Sequence, residues 1–418
     1  MYDVVVIGGG PAGLLAAGAA ARLGARTVIL EKMRKPGLKL GITGKGRCNI
    51  TNSAPVPQFI TQFGTNGRFL RQAFARFFSH EIIEILEGEG VGVVFERGGR
   101  VFSESGKALD VVGALVTWAR HGGVEIIPNR TVEHLIISDG RVVGAHTREG
   151  KDVLAARGVI LATGGMSYPL CGSTGDGYQL AREAGHSVVT VRPALVPLES
   201  RRVAGDAYLT DLNLINVSAA LHVDNKKVQE QFGEVVFTSW GLSGPIILSL
   251  SARAAVALDA GSAVSVVIDL KPALDSKRLD ARILRDMDKL RGETFRALLN
   301  GLLPMKLIPL CISDLGMDPL KRVHQITGHE RRALGQWLKQ CTFAVEGYRP
   351  IEEAIVTAGG VSLKEVNPRT MESLAVKGLY FAGELLDLDA QTGGYNLQAA
   401  FSTGHAAGVA AASNISAP

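Results

Sequence analysis

The first 31 residues constrain the fold of this chain more than any other segment. After Asp3, the residues up to Ile7 are all β-branched and apolar, a pattern that predicts a strand buried on both faces of a parallel sheet. Residues 11–24 are nearly all good helix formers, and residues 27–30 predict a second strand. Between the first strand and the helix stand three glycines at G-x-G-x-x-G spacing, Gly8, Gly10 and Gly13. The segment therefore predicts a complete βαβ unit of the nucleotide-binding kind.

The three glycines have different roles in such a unit. The first allows a tight turn, the second lets the backbone approach a pyrophosphate, and the third lets the helix pack on the strand. The pyrophosphate binds N–H groups at the helix start, where the macrodipole favours negative charge. Glu31, 18 residues beyond Gly13, can accept hydrogen bonds from ribose hydroxyls and would repel a 2′-phosphate. A glycine-rich turn of any α/β domain is the alternative, but the complete unit favours a site for an ADP-containing cofactor.

Length and cysteine content limit the class of protein. At 418 residues the chain is long enough for two or three domains. Its four cysteines lie far apart and form no C-x-x-C pair, so we expect neither a disulfide framework nor a metal site. This composition suits a reducing cytoplasm. The N-terminus lacks a basic n-region and a cleavage site, and Arg22 interrupts the apolar stretch after Gly13, so we expect no secretory signal and no membrane span.

Charge is unevenly distributed along the chain. The net charge at pH 7 is +5, and residues 271–332 alone contain 13 Lys and Arg against 8 Asp and Glu. Such a segment either binds the phosphates of a nucleic acid or is an ordinary solvated helical surface. The sequence alone favours the solvated surface.

The order of patterns predicts a discontinuous cofactor domain with an insertion. Residues 131–153 alternate around a hairpin turn at 138–140, and residues 158–161 predict a buried strand. Short alternating segments from about 191 to 267 predict β structure, whereas residues 271–319 have Leu and Ile at helical intervals. The predicted parts are a cofactor domain at 1–190 and 348–418, a β-rich inserted domain at 191–270 and 323–347, and a helical subdomain at 271–322.

A second glycine motif near the C-terminus repeats the order of strand, turn and helix. Gly383 and Glu384 follow an apolar strand, and a Gly-Gly pair at 393–394 precedes an Ala-rich helix from about 396 to 412. In two-part dinucleotide sites this end of the cofactor is the flavin. Glu384 would bind ribityl hydroxyls, and N–H groups near Tyr395–Leu397 would stabilise the N1/C2 carbonyl edge of a reduced flavin. A plain helix cap is the alternative.

A permanent nicotinamide domain is not expected. The glycine-rich stretch at 172–177 follows no strand, and no second strand-linked G-x-G-x-x-G motif occurs in the chain. NADH or NADPH would therefore visit the flavin only transiently, as a reductant. Glu31 would bind the adenosine ribose of the resident cofactor, so it does not indicate whether NADH or NADPH is the reductant.

With these motifs assembled, the chain resembles a family of bacterial FAD-binding oxidoreductases called HI0933-like or aminoacetone-oxidase-like. The resemblance covers almost the full length. The matching stretches are the N-terminal G-G-G-P-A-G, the K-P-G-x-K-x-x-x-T-G-x-G-R-C-N-x-T-N loop at 35–52, A-T-G-G-M-S-Y-P at 162–169, G-S-T-G-D-G-Y at 172–178, G-L-S-G-P at 241–245, T-A-G-G-V at 357–361, N-P-R-T-M-E at 367–372, G-L-Y-F-A-G-E at 378–384 and T-G-G-Y-N at 392–396.

The resemblance implies an α/β fold in which a discontinuous Rossmann-like FAD-binding domain carries an inserted β-barrel-like domain and a small helical subdomain. It implies FAD as the cofactor and places the Arg47-Cys48-Asn49 loop near the isoalloxazine. One departure matters: before G-L-S-G-P the family commonly has Phe-Thr-His, and this chain has Phe-Thr-Ser-Trp at 237–240. A catalytic histidine at that place is therefore not carried over.

The candidate cofactor-binding residues come from both glycine motifs and the matching loops, and no metal ligand is among them. They are Gly8, Gly10, Pro11, Ala12, Gly13, Glu31, Lys32, Lys39, Gly44, Gly46, Asn49, Val132, Thr163, Gly164, Gly165, Asp176, Gly383, Glu384, Gly394, Tyr395, Asn396 and Leu397.

Cys48 and Arg47 are the candidate catalytic residues. Lys39, Lys45 and Arg47 crowd the Cys48 thiol in sequence, so we expect a lowered pKa and a partly ionised thiol, which weakens it as a proton donor. Simple packing of Cys48 against the flavin ring is the alternative. Arg47 would orient a carbonyl or phosphate, or bind the pyrophosphate of FAD. Cys171 has a smaller claim to the donor role.

The resemblance leaves the substrate open, because family members are linked to small-amine oxidation, bile-acid reduction and dihydrouridine formation in 23S ribosomal RNA. The leading hypothesis is an NAD(P)H-dependent FAD reductase of an activated C=C bond, with a uracil of ribosomal RNA as the substrate. The basic loop at 35–47 and the basic insertion motivate it. The alternatives are a small-molecule oxidase or reductase of an amine or enone, and a non-catalytic flavin-bound redox sensor or RNA-binding assembly factor. No obligate protein partner is inferred.

Overall fold

The computed structural model of the protein describes residues 1–148, 153–155 and 158–413. The chain forms two compact units, one made of Met1–Ala194 together with Ile351–Pro418 and the other of Leu195–Pro350. The first unit is therefore discontinuous, and the second is an insertion in it. Within the described ranges, no helix combines the length and the apolar character needed to cross a membrane.

A five-stranded parallel sheet lies at the centre of the discontinuous unit. In spatial order its strands are β20 (Leu379–Phe381), β10 (Gly158–Leu161), β1 (Val4–Ile7), β2 (Thr27–Glu31) and β6 (Glu125–Pro128). All but β6 are buried along their whole length, as their apolar runs predict. Because neighbouring strands run parallel, their carboxyl ends share one edge of the sheet. At that edge β1 leads to Gly8, β10 leads to Thr163, and β20 leads to Gly383.

The remaining elements of this unit surround the parallel sheet. Its helices are α1 (Pro11–Arg22), α2 (Leu38–Gly46), α3 (Val56–Gln62), α4 (Arg71–Phe74), α5 (Ser79–Gly88), α6 (Ala108–His121), α7 (Asp176–Glu183) and α14 (Tyr395–Ser413). Its small antiparallel sheets contain β3 (Thr51–Asn52), β4 (Val93–Phe95) and β5 (Arg100–Ser103); β7 (Val132–Ser138), β8 (Arg141–Thr147) and β9 (Val153–Ala155); and β11 (Val188–Ala194) with β19 (Val356–Val361). The pairing of Ser138 with Arg141 confirms the predicted hairpin turn.

Helices α1 and α14 pack backbone to backbone. A Cβ on Gly404 would lie 2.2 Å from the carbonyl oxygen of Ala12, and a Cβ on Gly408 would lie 2.1 Å from that of Ala16. Any side chain at these two positions would push the helices apart. Because the residue numbers rise together along the contact, the helices run parallel, and their positive N-terminal ends point in the same direction.

The inserted unit contains a seven-stranded antiparallel sheet with the order β17-β16-β13-β14-β15-β12-β18. Its strands are β12 (Leu198–Glu199), β13 (Asn213–Val223), β14 (Lys226–Phe237), β15 (Gly241–Ser243), β16 (Val264–Asp269), β17 (Cys341–Val345) and β18 (Gly347–Tyr348). The edge strands β17 and β18 are separated along the chain by Glu346 alone, so one continuous stretch of chain pairs with β16 at one edge of the sheet and with β12 at the other, and the sheet must curl. This geometry agrees with the predicted barrel-like form.

Six helices accompany this sheet: α8 (Arg201–Ala204), α9 (Pro245–Asp259), α10 (Ser276–Lys289), α11 (Phe295–Asn300), α12 (Ile308–Leu315) and α13 (Gly328–Lys339). Leu279 and Ile283 of α10 belong to the same hydrophobic core as Val266 of β16, so helices and strands of the insertion share one core. Helix α9 lies where we predicted mainly β structure. Pro245 begins it, and its residues are buried at helical intervals.

Candidate functional site

The first glycine turn is closed too tightly for side chains at two of its three glycines. Gly8 has a φ of 101°, and a Cβ on Gly13 would lie 1.9 Å from the carbonyl oxygen of Gly8. A Cβ on Gly10 would meet no atom within 4 Å. Gly10 therefore leaves open space in front of helix α1, which begins at Pro11, and this is where the motif requires close approach to a pyrophosphate.

The carboxylate of Glu31 lies beside this turn. It accepts hydrogen bonds from the N–H groups of Gly9 and Met33, both at 2.7 Å. Burial raises the pKa of Glu31, and the two N–H donors act in the opposite direction. The N–H of Arg130 donates to the carbonyl of Glu31 at 2.9 Å. The segment that leads to the buried Val132 is therefore fastened next to Glu31.

The edge after β10 contributes a charged pair and an unpartnered hydroxyl. The ammonium of Lys32 lies 2.6 Å from the carboxylate of Asp176 and also contacts Thr174. Burial alone would raise the pKa of Asp176, but its hydrogen bonds to Lys32 and Thr174 outweigh burial and hold this pKa below its ordinary value. Gly164 turns the chain with a φ of 74°. Among the described residues nothing hydrogen-bonds the buried Oγ1 of Thr163, which packs against Gly177, where a Cβ would lie 2.0 Å from it.

Lys39 and Glu384 form the centre of a second polar network. The ammonium of Lys39 lies 2.7 Å from one carboxylate oxygen of Glu384 and donates to Oγ of Ser167, also at 2.7 Å. The other oxygen of Glu384 accepts from Ser167 at 3.2 Å and from the N–H of Thr357 at 2.8 Å. A Cβ on Gly165 would lie 2.3 Å from Oγ1 of Thr357 and 3.0 Å from that oxygen, so glycine leaves room for both side chains. Glu384 is therefore fixed in one position by the protein itself.

The loop after α2 is fastened to the turn before α14. The Asn49 amide is oriented so that its oxygen and its nitrogen both have hydrogen-bond partners. The oxygen accepts from the N–H of Gly394 at 3.0 Å, and the nitrogen donates to the carbonyl of Thr51 at 3.1 Å. The hydroxyl of Thr51 donates to the amide oxygen of Gln398 at 2.7 Å. A Cβ on Gly394 would lie 2.3 Å from the carbonyl oxygen of Thr51, so this contact requires glycine. The two glycine-rich loops, distant in sequence, thus form one structure.

The start of α14 is held from both sides. The Asn396 side chain accepts from the N–H of Ala390 at 2.8 Å and donates to its carbonyl at 2.9 Å. The Tyr395 ring packs edge-on against Phe59 with centroids 4.7 Å apart, and Leu397 is half-buried. N–H groups in the first turn of a helix have no intrahelical acceptor, so this turn can bind a negatively charged group.

Cys48 is not the partly ionised thiol that we predicted. Its side chain is fully buried by the protein's own atoms, and burial raises the pKa of the thiol to about 11, although a hydrogen bond with Thr43 opposes the shift. The prediction that Lys39, Lys45 and Arg47 would lower this pKa was wrong, because loss of hydration in the buried position disfavours the thiolate. The Cys48 thiol is therefore protonated at neutral pH.

Arg47 lies at the surface rather than inside the candidate site. Its guanidinium is 2.5 Å from the carboxylate of Glu96 and 4.4 Å from the ring centroid of Phe102, and its side chain is 47% exposed. The turn before it interrupts helix α2, since Gly44 and Gly46 have φ values of 57° and 82°. Both glycines therefore shape the corner from which Arg47 projects.

Asp389 is a residue of this region that the sequence analysis missed. The segment around it is fixed on one side by Asn396 and on the other by Asn66, whose amide donates to the carbonyl and carboxylate of Asp387 at 2.9 and 3.1 Å. Burial, with the neighbouring charge of Asp387, raises the pKa of Asp389 to about 6. No local pattern marked it, because an acid between leucine and alanine is typical of any loop.

The predicted cofactor-binding residues form two groups, one around the first glycine turn and one around Glu384. Gly383 joins them, because a Cβ there would lie 2.8 Å from the Cβ of Ala12. The open space at Gly10 and the two parallel helix N-termini fit a dinucleotide. No group of three His, Cys, Asp or Glu side chains within the described ranges is arranged to hold a metal ion.

Comparisons with known proteins find similar sequences over almost the whole chain. The family model described as the HI0933-like protein Rossmann domain matches residues 2–410. The chain is 34% identical to a 3-dehydro-bile acid delta(4,6)-reductase of Clostridium scindens, with 99% of each chain covered. It is 30% identical to a ribosomal RNA dihydrouridine synthase of Haemophilus influenzae, with 96% of each chain covered.

Solved structures are similar in fold at lower identity. A flavocytochrome c3 fumarate reductase is 20% identical with a TM-score of 0.54, and the match covers 100% of this chain and 79% of that one. A 3-ketosteroid-delta4-(5alpha)-dehydrogenase from Rhodococcus jostii RHA1 is 17% identical with a TM-score of 0.50, covering 98% of this chain and 96% of that one. At these identities the likeness concerns the fold alone.

Proposed function

The chain belongs to the HI0933-like family and is an FAD-dependent oxidoreductase, and from this premise we propose that it reduces an activated carbon–carbon double bond. In the specific form of the proposal, the bond is the C5–C6 double bond of a uridine in 23S ribosomal RNA, and the product is dihydrouridine. NADH or NADPH would supply the hydride as a transient reductant.

The names of two relatives support this reaction. One describes a reductase of delta(4,6) double bonds in a bile acid, and the other describes formation of dihydrouridine in ribosomal RNA. Both reactions saturate a carbon–carbon double bond by adding a hydride and a proton. The type of bond is therefore common to both relatives, although their substrates differ greatly in size and charge.

The observation that carries the proposal is the union of the two glycine turns through Gly383 and Ala12. In the proposed complex, residues of the first turn would bind the pyrophosphate of FAD, with Glu31 at its ribose. Glu384 and the first N–H groups of α14 would bind the flavin end. When bound, FAD supplies the hydride chemistry, and the protein orients it and excludes water.

Asp389 is the proton donor in this proposal, in place of Cys48. Reduction of an alkene adds a hydride to one carbon and a proton to its neighbour, so a protonated acid is needed. A carboxyl group whose pKa is about 6 is partly protonated near neutral pH and regains its proton readily. Cys48 is fully buried and lies out of reach of a substrate.

Nucleoside mass spectrometry of 23S ribosomal RNA tests the proposal. RNA from a strain that lacks the gene should lack one dihydrouridine found in the parent strain. The purified protein with NADPH or NADH should restore that nucleoside in the isolated RNA. An unchanged nucleoside profile in the deletion strain would remove the RNA substrate.

A small-molecule enone is the second candidate substrate, favoured by the 34% identity to the bile-acid reductase over nearly the whole chain. Anaerobic turnover separates the two candidates. If an enone steroid reoxidises the reduced flavin while the RNA does not, the second candidate is correct. If neither NADH nor NADPH bleaches the flavin, a non-catalytic role is favoured instead.

A further inference from the structure

Helix α10 presents a solvent-exposed row of cations. Leu279 and Ile283 on one side of the helix are buried in the core of the inserted unit, so the opposite side faces solvent. Lys277, Arg285 and Lys289 are exposed on that opposite side. They lie within about 120° of one another around the helix axis and span about 18 Å along it. We call these three residues the α10 face.

Neighbouring acids are largely paired with other cations. Three of them form ion pairs away from the α10 face: Asp280 with Arg331 at 2.9 Å, Asp286 with Arg282 at 3.6 Å, and Glu330 with Lys321 at 2.5 Å. Within the described residues, Lys277, Arg285 and Lys289 have no ion-pair partner. Asp288 is exposed on the same side of the helix and offsets one of the three charges, and beyond the helix end the exposed Arg291 and Glu293 offset each other. The surface therefore keeps a positive potential.

Helix stability does not explain all of these cations. Asp275 caps the helix by accepting from the N–H of Arg278 at 2.7 Å, so Lys277 and Arg278 fall in the first turn. The positive end of the helix macrodipole lies there and disfavours cations. Lys289 in the last turn is favoured by the dipole, but Lys277 is not. An external anionic partner would compensate this cost.

We infer that the α10 face binds the phosphate backbone of the RNA that carries the target uridine, an inference that rests on the proposed function. Lys and Arg that neutralise phosphates release condensed counterions, which contributes affinity without reading sequence. A row of three charges about 18 Å long spans several consecutive phosphates of one strand. This face therefore positions the RNA, whereas selection of the uridine belongs to the reaction site.

The test compares two triple variants of the full-length, FAD-loaded protein. In the first, Lys277, Arg285 and Lys289 are each changed to Gln. In the matched control, Arg120, Lys226 and Lys364, which are exposed cations on other elements, are each changed to Gln. Binding of protein-free 23S ribosomal RNA from the deletion strain is measured from 0.05 to about 0.3 M KCl, a range over which phosphate contacts change affinity strongly.

We expect the α10 variant to bind this RNA at least about tenfold more weakly at the lowest salt, with its log–log salt slope reduced by about 2 to 3. The control should keep the affinity and slope of the unmodified protein. Flavin absorbance and reduction by NAD(P)H should be the same in all three proteins. Equal RNA affinity and equal slopes in the two variants would overturn the inference.

Two further measurements, vesicle binding and dihydrouridine formation, distinguish RNA binding by the α10 face from membrane binding and from the proposed reaction itself. If the α10 variant loses binding to phosphatidylserine vesicles and keeps its RNA binding, the face contacts a membrane and the inference is wrong. If the unmodified protein binds the RNA through this face and leaves its nucleosides unchanged, the inference stands and the proposed reaction fails. If dihydrouridine forms with the same KM for RNA in both variants, the reaction stands and the inference fails.

Discussion

The ammonium of Lys39 and the carboxylate of Glu384 lie 2.7 Å apart although 345 residues separate them in the sequence. Ser167, from a third part of the chain, hydrogen-bonds to both. The side chains of Lys39 and Glu384 are 18% and 20% exposed, so solvent screens their attraction only in part. This contact joins the loop after the first βαβ unit to the turn after β20, and it makes two distant glycine motifs parts of one site.

Replacement of Lys39 by Met should weaken the site through Glu384. The carboxylate would lose its cationic partner in a largely buried position, and we expect the free energy of unfolding to fall by about 1–3 kcal/mol. The FAD content of the purified protein should fall as well. Urea denaturation and the ratio of flavin to protein absorbance measure the two effects. Lys35→Met, which changes an exposed lysine of the same loop, is the control, and equal behaviour of the two variants would contradict the role given to Lys39.

Two glycines of the first turn should respond differently to alanine. Gly10→Ala places its methyl group where no protein atom lies within 4 Å, at a φ of −78° that alanine adopts, so the apoprotein should unfold at the same urea concentration as the unmodified one. Its FAD affinity should fall, because the methyl group would occupy the space for the pyrophosphate. Gly13→Ala would drive a Cβ to 1.9 Å from a backbone oxygen and should destabilise the apoprotein itself. Isothermal titration with FAD and urea denaturation distinguish these outcomes, and tight FAD binding by Gly10→Ala would place the pyrophosphate elsewhere.

Local patterns in the sequence predicted the elements that depend on local causes. The β1 strand, the glycine turn and the α1 helix follow from residue type and spacing within 24 residues, and the structure confirms all three. Helix α9 was missed because its small residues and serines resemble an alternating strand until Pro245 is taken as a helix start. The burial of Cys48 could not be predicted either. Cys48 is buried in a core whose other residues come from distant parts of the chain, so a local stretch of sequence does not include them.

The role of a site residue could be predicted from the sequence only where one residue type alone can fill that role. Glycines with a positive φ or no room for a Cβ belong to this class, and Gly394 is an example. Asp389 belongs to the opposite class, since the same residue type in a loop is ordinarily solvated and ionised. Its raised pKa depends on burial and on Asp387, both of which follow from the folded structure.

Cys48→Ala should retain catalytic activity. The thiol is fully buried and its pKa is about 11, so removal should leave the rate of hydride and proton transfer within about a factor of two of the unmodified protein. Stability should fall by about 1 kcal/mol, because a small buried group is lost from a packed core. Turnover with NAD(P)H and urea denaturation measure these effects. A loss of about 100-fold in turnover, typical for a missing general acid, would show that Cys48 is the proton donor after all.

Asp389→Asn should change stability in a pH-dependent way. Burial raises the pKa of Asp389 from 3.8 to about 6, so its contribution to stability is complete below pH 3.8 and is lost as the pH rises through 6. At pH 8 the ionised carboxylate destabilises the fold, and Asn removes this cost. We expect the variant to be more stable than the unmodified protein at pH 8 by about 1–3 kcal/mol, with no difference below pH 4. Urea denaturation at both pH values measures this, and equal stability at pH 8 would show that Asp389 titrates normally.

The same group should control the pH dependence of turnover. If protonated Asp389 delivers the proton, kcat is constant well below pH 6 and falls about tenfold for each pH unit above it. Near pH 6, Asp389→Asn should lower kcat by about 100-fold or more and abolish this pH dependence. The rate at which NAD(P)H reduces its flavin should not change.

The Asp387→Asn variant tests the same assignment through the pKa of Asp389. It removes the like charge that raises this pKa, so the fall in kcat should begin at lower pH. Stopped-flow flavin reduction and steady-state turnover between pH 5 and about 8.5, a range that brackets the titration, separate the two half-reactions. A profile unchanged by either substitution would exclude Asp389 as the donor, whatever its effect on stability.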